Sequence, residues 1–500
     1  MWRSIGFVAL NILTVLGRDV SEVLKERKNL LETEMSMMLG RDIILSDSEI
    51  KANEIIMNLK YEVIDNGCRD PGVFNLSKHF FEYKEEIKKT TLYKIIKAMP
   101  KGAVLHAHDT ALLDADYILE LTYLPDLYVC FQEEYPLFLF SEDKPRSTCD
   151  TRWQLLKEAR YSSGNVEKFD AELRKHFTIE VDNPKAVYSN INTVWNKFQQ
   201  VFIITEPLFS YKPVWEKYFY DSLKKFREDN VMYIEIRSVL PQLYDLEGNI
   251  YDIKDTAVSY KNVLDQFKKD YPDFFGAKLI YAPLKFVNDI SEYIKTAKEL
   301  KNMLPTFFAG FDLVGQEDTM VPLKKYMREL VEAEKDLDFF LHAGETNWYG
   351  TDSDENIADA IVLNTKRIGH AFALTKHPLL LKEVKKRNIA IEVNVISNNV
   401  LKLVDDVRNH PLATFLAIDA PVVISCDDPG LWGAEPLTHD FYVAFVGVAS
   451  KHADLRVLKK LALNSLYYST IYDKDKLVHE FDIRWTKFID SIVRDVNASS

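Results

Sequence analysis

Residues 103–112 read AVLHAHDTAL. The chain has only 11 histidines, yet His106 and His108 stand one residue apart, with Asp109 directly after. In a β-strand the side chains at i and i+2 share a face, so both imidazoles and Val104 point the same way. Two imidazoles at that spacing repel when charged and gain little by packing. They make sense when something sits between them. Taken alone, such a pair is more often an ordinary polar strand end, so the rest of the chain has to decide.

Three further apolar stretches also end in ligand-type residues. DFFLHAG (338–344) ends His342-Ala-Gly-Glu345. RIGHAFA (367–373) carries His370. PVVISCDD (421–428) ends Cys426-Asp427-Asp428. Imidazoles with a carboxylate suit Zn²⁺, which takes nitrogen and oxygen ligands and keeps an open position in catalytic sites. A bound divalent ion lowers the pKa of its water towards neutrality, and a nearby carboxylate and an extra histidine can handle protons. That chemistry is hydrolytic or deaminating.

These residues lie more than 300 positions apart in the chain, so a fold must gather them. From residue 101 onward, short apolar strands alternate with helical segments. The pattern predicts strands at 103–108, 231–237, 277–283, 307–314, 338–344, 367–373, 389–396 and 421–428. Helices such as 290–304 and 410–418 lie between them. Eight strands alternating with helices predict an α/β fold, a (β/α)8 TIM-type barrel. All strand C-termini of such a barrel meet on one rim, where active sites sit. The first two strands are too far apart for one helix. Residues 116–185 therefore read as an insertion, and 101–115 with 186–495 as the barrel.

Residues 18–100 read as helical. Apolar residues recur at Val23/Leu24, Leu30/Leu31, Met35 and Met38/Leu39, one stripe at near-heptad spacing. It reads as core or as a subunit interface, a homodimer through residues 20–65. Ser46-Asp-Ser-Glu49 is a capping box opening a helix through about Asp65.

The chain of 500 residues is 47% hydrophobic with a net charge of −13. That is ample for a large core and disfavours a nucleic-acid groove or an anionic membrane as the main partner. Residues 1–17 hold Arg3, an apolar run from Ile5 to Leu16, and Gly17. They read as a signal peptide, hence a secreted, extracellular protein. No second stretch reaches membrane-spanning length. Secretion makes a Cys130–Cys149 disulfide the expectation, in a Pro-rich stretch of the insertion. Cys68 is left over, and Cys426 reads as a buried free thiol. Asn75 and Asn497 begin glycosylation sequons. His410 and His439 read as structural.

Taken together, HAHD, FAGFDLVGQED, FFLHAGET, RIGHAFAL and ISCDDP resemble the adenosine deaminase family. The apparent leader, helical N-terminus and disulfide-bearing insertion make the chain most similar to its secreted branch, the adenosine deaminase-related growth factors. The five motifs occur in the family's order, and the likeness runs over essentially the whole chain after residue 18. It implies one Zn²⁺ per subunit held by His106, His108, His342 and Asp427. It implies Glu345 as the acid that protonates purine N1 and His370 as the residue orienting the attacking water at C6. It further implies Asp428 at N7, the Gly315 backbone N–H at N3, Asp109 near the ribose, and Trp195 as an aromatic closing the nucleoside site. Adenosine would yield inosine, and 2′-deoxyadenosine 2′-deoxyinosine, with release of ammonia.

Three other readings stand against this. A nucleotide deaminase of similar fold would want basic residues for a 5′-phosphate, and no basic cluster stands beside the motifs. A cytidine-deaminase type of site needs C-x-x-C, which the chain lacks. An extracellular growth-factor-like ligand with a catalytically idle barrel would use the N-terminal helices and the insertion to meet a cell-surface receptor or glycan. Such a barrel need not keep its ligand residues, and here every one is present.

Overall fold

The computed structural model describes residues 19–133 and 135–499, so the expected leader at 1–17 lies outside the described residues. At the centre are two runs of parallel strands. β1 (Gly102–His108), β2 (Val231–Ser238), β3 (Gly276–Tyr281) and β4 (Phe308–Phe311) pair in that order. β5 (His342–Ala343), β6 (Arg367–His370), β7 (Ala390–Val393) and β8 (Val422–Ile424) pair in the second run. Isolated bridges from Phe311 to Phe339 and from Ala107 to Asp427 join the runs, closing a (β/α)8 barrel. Helices pack outside, among them Ile253–Asp270, Ser291–Met303, Asp352–Val362 and Leu455–Tyr467. Because both faces are covered, the strands read as nearly continuous apolar runs, and β2 is buried at every position.

Every predicted barrel strand is present, but most stop short of their predicted C-terminal ends. Of 338–344 only His342–Ala343 is strand, 389–396 stops at Val393, and 421–428 stops at Ile424. The cause is local. His370 (φ 64°), Ala371 (φ 46°) and Asp427 (φ 61°) have left-handed backbones. That conformation costs a non-glycine residue about 1–3 kcal/mol. It breaks the i, i+2 alternation and turns side chains inward that a regular strand would point elsewhere. Strain of this kind concentrates at functional sites.

Four helices precede β1: α1 (Val20–Ser36), α2 (Asp47–Arg69), α3 (Phe80–Lys88) and α4 (Thr91–Ala98). The capping box at Ser46 and Glu49 forms, and α2 runs past Asp65 to Arg69. The core reading of the apolar stripe fails over α1, which has no buried residue; Leu24 is 59% and Leu30 66% exposed. Only its end, Met38 and Leu39, is buried. By contrast α2 docks on the barrel through Ala52, Ile56, Met57 and the buried Lys60. The Lys60 ammonium donates to the carbonyls of Ser450 (2.9 Å) and Ala453 (2.8 Å) and lies 4.0 Å from the centre of the Phe445 ring.

Between β1 and β2, strands Leu127–Phe131, Pro136–Phe140 and Gln154–Leu155 form a small antiparallel sheet. Cys130 and Cys149 are bonded there, Cα atoms 6.1 Å apart. Cys68 is exposed and Cys426 buried, both free. Among the described residues no helix is long and apolar enough to cross a membrane.

Candidate active site

At the C-terminal end of the barrel, β1 presents His106 and His108 with ring centres 5.4 Å apart. His342, at the start of β5, lies 4.5 Å from His106, and His370 lies 4.9 Å from it. Asp427 reaches in from the end of β8. Its Oδ1 is 3.2 Å from Nε2 of both His106 and His108, and its Oδ2 is 3.7 Å from His370 Nε2. Backbone hydrogen bonds pin it to β1, His108 N–H to Asp427 O (3.0 Å) and Asp427 N–H to His106 O (3.1 Å). Gly369 makes room for the rings: a Cβ there would stand 3.1 Å from His106 Cε1 and 3.2 Å from His342 Cα.

Beneath the histidines lies a buried charge network. His106 Nδ1 donates to Glu392 (2.8 Å) and His342 Nδ1 to Asp312 (2.6 Å). Arg237 donates to both Asp312 and Glu392, at 2.7 Å each. Arg367 bridges Glu392 and Glu235. Burial alone would raise the pKa of Asp312 and Glu392. The facing donors overturn it, the His342 imidazole and the Arg237 guanidinium for Asp312, the Arg237 and Arg367 guanidinium groups for Glu392, and hold both well below the usual carboxylate range. Burial keeps His342 neutral, its pKa lowered to about 3.

With their Nδ1 protons committed to carboxylates, His106 and His342 turn bare Nε2 lone pairs towards the centre. His106 Nε2 is buried and has no hydrogen-bond partner among the described residues. Its contact with Asp427 therefore sets a lone pair against a carboxylate, which a cation between them makes favourable. The donor set fits a divalent ion that takes nitrogen and oxygen ligands. Ligand atoms of His106, His342, His370 and Asp427 lie within 4.8 Å of one another, and those of His108, Asp427 and Asp428 form an overlapping group. Five candidate ligand residues and Asp428 thus crowd one point.

Glu345 is buried beside them, its Oε1 3.6 Å from His370 Nδ1 and without a hydrogen-bond partner among the described residues. Burial, with Asp427 and Glu317 nearby, pushes its pKa well above the usual value, and Lys285 opposes the rise. Burial and Asp427 push Asp428 up in the same way. Glu317 shapes the Glu345 turn by accepting the N–H groups of Gly344 (3.0 Å) and Glu345 (3.2 Å). Lys285 is fully buried with its Nζ 4.0 Å from Glu317.

Asp109 is also buried, accepting from Thr110 N–H (2.9 Å) and the Tyr260 hydroxyl (2.6 Å). Gly315 has φ 117°, and a side chain there would collide with Met320. Trp195 is buried. It packs edge-on against Phe198 at 5.0 Å on helix Ile191–Phe209, one turn beyond Asn192, which bonds Gln316. His439 is structural, its Nδ1 accepting from Glu435 N–H at 2.8 Å.

Glu235, Arg237, Lys285, Asp312, Glu317, Arg367, Glu392 and Asn398 were not singled out by the motif reading. For the strand charges a signal existed. VMYIEIR and IAIEVNVI carry charges inside apolar runs, and Glu235 and Arg237 are two apart, hence on one face.

A closed barrel with imidazoles and carboxylates converging at its strand C-termini defines a hydrolase-type metal site. Family comparison narrows the class. The profile described as adenosine deaminase matches residues 167–482, and the adenosine/AMP deaminase N-terminal profile matches 18–96. The chain is 44% identical over 486 residues to an adenosine deaminase of Phlebotomus duboscqi, covering 96% of this chain and 94% of that one. It is 42% identical over 473 residues to adenosine deaminase 2 of Homo sapiens, covering 93% and 92%. The chain belongs to the adenosine deaminase family. Solved structures at low identity support the fold. The Arabidopsis N6-mAMP deaminase aligns with TM-score 0.56 at 16% identity, covering 78% of this chain and 99% of its own. The adenine deaminase of Arthrobacter aurescens aligns with TM-score 0.53 at 20% identity, covering 78% and 99%.

Proposed function

We propose that this protein is a secreted, zinc-dependent adenosine deaminase that converts adenosine to inosine, and 2′-deoxyadenosine to 2′-deoxyinosine, with release of ammonia. The observation that carries the reading is the convergence of His106, His108, His342 and Asp427 on one point, with Glu345 buried beside it and its carboxyl pushed up by burial. Zn²⁺ held by those four residues would supply a water ionised near neutral pH. The chain's own groups do the rest. Purine N1 and N7 are acceptors, so their partners must donate. Glu345 and Asp428 hold protons because burial and Asp427 raise both carboxyls. Glu345 gives its proton to N1, making C6 electrophilic, and Asp428 donates to N7. His370 orients the attacking water, the Gly315 N–H meets N3, Asp109 lies by the ribose, and Trp195 closes the nucleoside pocket.

Residues 18–100 form a dimerisation region, with the exposed apolar stripe of α1 as the contact between two copies. Residues 116–185 form an insertion domain offered to a receptor or glycan, and any growth effect follows from adenosine depletion. Asn75 and Asn497 carry glycans.

The test is loss of absorbance near the adenosine maximum, with adenosine and AMP in parallel, before and after a strong chelator. Adenosine turnover that chelation abolishes supports the proposal. Turnover of AMP alone, or none with zinc loaded, defeats it.

A further inference from the structure

The cluster holds a question that proximity alone leaves open. His370 stands as close to the centre as the other histidines, yet its part in the proposed reaction differs. The hydrogen bonds behind it answer this. The chain of bonds begins at a donor with only one role, the backbone N–H of Leu412, which donates to His410 Nδ1 at 2.9 Å. Nδ1 of His410 is therefore bare. Burial keeps His410 neutral, its pKa lowered to about 3. A neutral imidazole with a bare Nδ1 carries its proton on Nε2. That Nε2 lies 2.9 Å from the side-chain amide of Asn398, so the atom facing it must be the acceptor, Oδ1. The orientation of the amide is thereby forced. Its other end, the Nδ2 donor, faces His370 Nδ1 at 3.3 Å. A carboxamide nitrogen only donates, so His370 Nδ1 accepts and its proton sits on Nε2.

This is the opposite tautomer to His106 and His342. Those two give their Nδ1 protons to Glu392 and Asp312 and offer bare Nε2 atoms to the centre. His370 brings an N–H to the same place. A protonated Nε2 cannot ligate a metal, so His370 serves as a hydrogen-bond donor and leaves the fourth ligand position to His108.

We infer that Asn398 and His410 are positioning residues that fix His370 as the Nε2–H tautomer, the one that donates towards the reaction centre. Both are buried, Asn398 on helix Val395–Val400 after β7 and His410 before helix Leu412–Ala417. Phe372, two residues beyond His370, holds the His410 ring edge-on at 5.5 Å. The hydrogen bond from His410 reaches the site through Asn398, a role its sequence context, RNHPLA, does not suggest. The activity readouts below rest on the deaminase reading; the tautomer itself does not.

The experiment uses the zinc-loaded, full chain with ¹⁵N-labelled histidine, the His370 signals assigned by their loss in His370→Gln. The unmodified protein is expected to show His370 Nδ1 bare and Nε2 protonated. Asn398→Leu, close in size, removes the donor. It is expected to yield mixed His370 tautomers and a kcat lower by about ten- to a hundredfold, at or below the lower end of what one proton-handling group contributes because His370 itself remains, with KM within about threefold. His410→Leu frees the Asn398 amide to turn and shifts both readouts the same way. His410→Gln keeps an N–H facing Asn398 and keeps kcat within about threefold. The two His410 variants stand far enough from the centre to decide the matter if Asn398→Leu fails to fold. A protonated His370 Nδ1 in the unmodified protein overturns the inference. So does a fall in kcat in the leucine variants with the His370 signals unmoved, which is mere packing. Zinc-loaded protein without adenosine turnover defeats the deaminase reading instead, and the nitrogen signals still test the relay.

Discussion

Glu345 is the side chain on which the proposed chemistry turns, and its surroundings favour its protonated form. It is buried, carries an oxygen without a hydrogen-bond partner among the described residues, and faces Asp427 and Glu317. Glu345→Gln keeps the shape and removes the transferable proton. Its kcat is expected to fall by about 10²–10⁴-fold, with bound zinc unchanged by elemental analysis. A variant that keeps its rate removes Glu345 from the mechanism. At this scale the sequence was highly informative about the inner ring. His106, His108, His342, His370, Glu345, Asp427 and Asp428 all close apolar strands, and the barrel brings them together. It was poor on what lies behind them. Arg237, Asp312, Arg367 and Glu392 sit inside strands read for their apolar character, and a charge there signals its role only when its partner across the barrel is known. Asn398 and His410 were harder still, because a hydrogen bond between a residue on one helix and a residue ahead of another leaves no spacing in the chain.

The barrel strands and their order were legible because a strand covered on both faces is a short apolar run. Their ends were less so: at β6 and β8 the left-handed backbones of His370, Ala371 and Asp427 take the chain out of the ladder. The N-terminal helices divide the same way. The stripe along α1 could mean core or interface from periodicity alone, and exposure of Leu24 and Leu30 excludes the core of one chain, which is the ground for the proposed pairing. Light scattering at micromolar concentration is expected to give the mass of two chains, and removal of residues 20–36 the mass of one; a single-chain mass for the intact protein refutes the pairing. α2 is attached differently, through a lysine the sequence did not mark. Burial lowers the pKa of Lys60 from 10.5 to about 7, with Asp454 opposing. Between those two values the unfolded chain binds a proton that the folded protein does not. Stability therefore rises with pH across the window from about 7 to 10.5, by up to about 1.4 kcal/mol per pKa unit. Lys60→Met removes this contribution. The Tm of the unmodified protein minus that of the variant is expected to grow as pH is raised from 7 to 10. A difference that stays flat means that Lys60 remains charged against its two carbonyls throughout.

For the molecule as a whole, the barrel seam and the metal site are one problem. The eight strands fall into two runs of four, and among the described residues the strand pairing between them consists of the bridges Phe311–Phe339 and Ala107–Asp427. The second seam runs through the cluster itself. His106 and His108 belong to the first run, His342 and Asp427 to the second, and Asp427 is held in a left-handed conformation. Without a cation, bare imidazole nitrogens face a carboxylate across that seam. With one, both runs share a ligated centre. Because the site is assembled only in the folded barrel, an ion bound there stabilises it by mass action, about 4 kcal/mol when free zinc is a thousandfold above its Kd. Zinc is expected to raise the Tm of chelator-treated protein by several degrees, the usual scale for such a change in a large domain being about 2–4 °C per kcal/mol. His342→Ala, which removes a ligand from the second run, is expected to lose most of that rise. Glu345→Gln, which leaves the four ligands in place, is expected to keep it. Melting curves that coincide with and without zinc would mean that the cluster holds no ion, and the buried lone pairs of the seam would then need another partner.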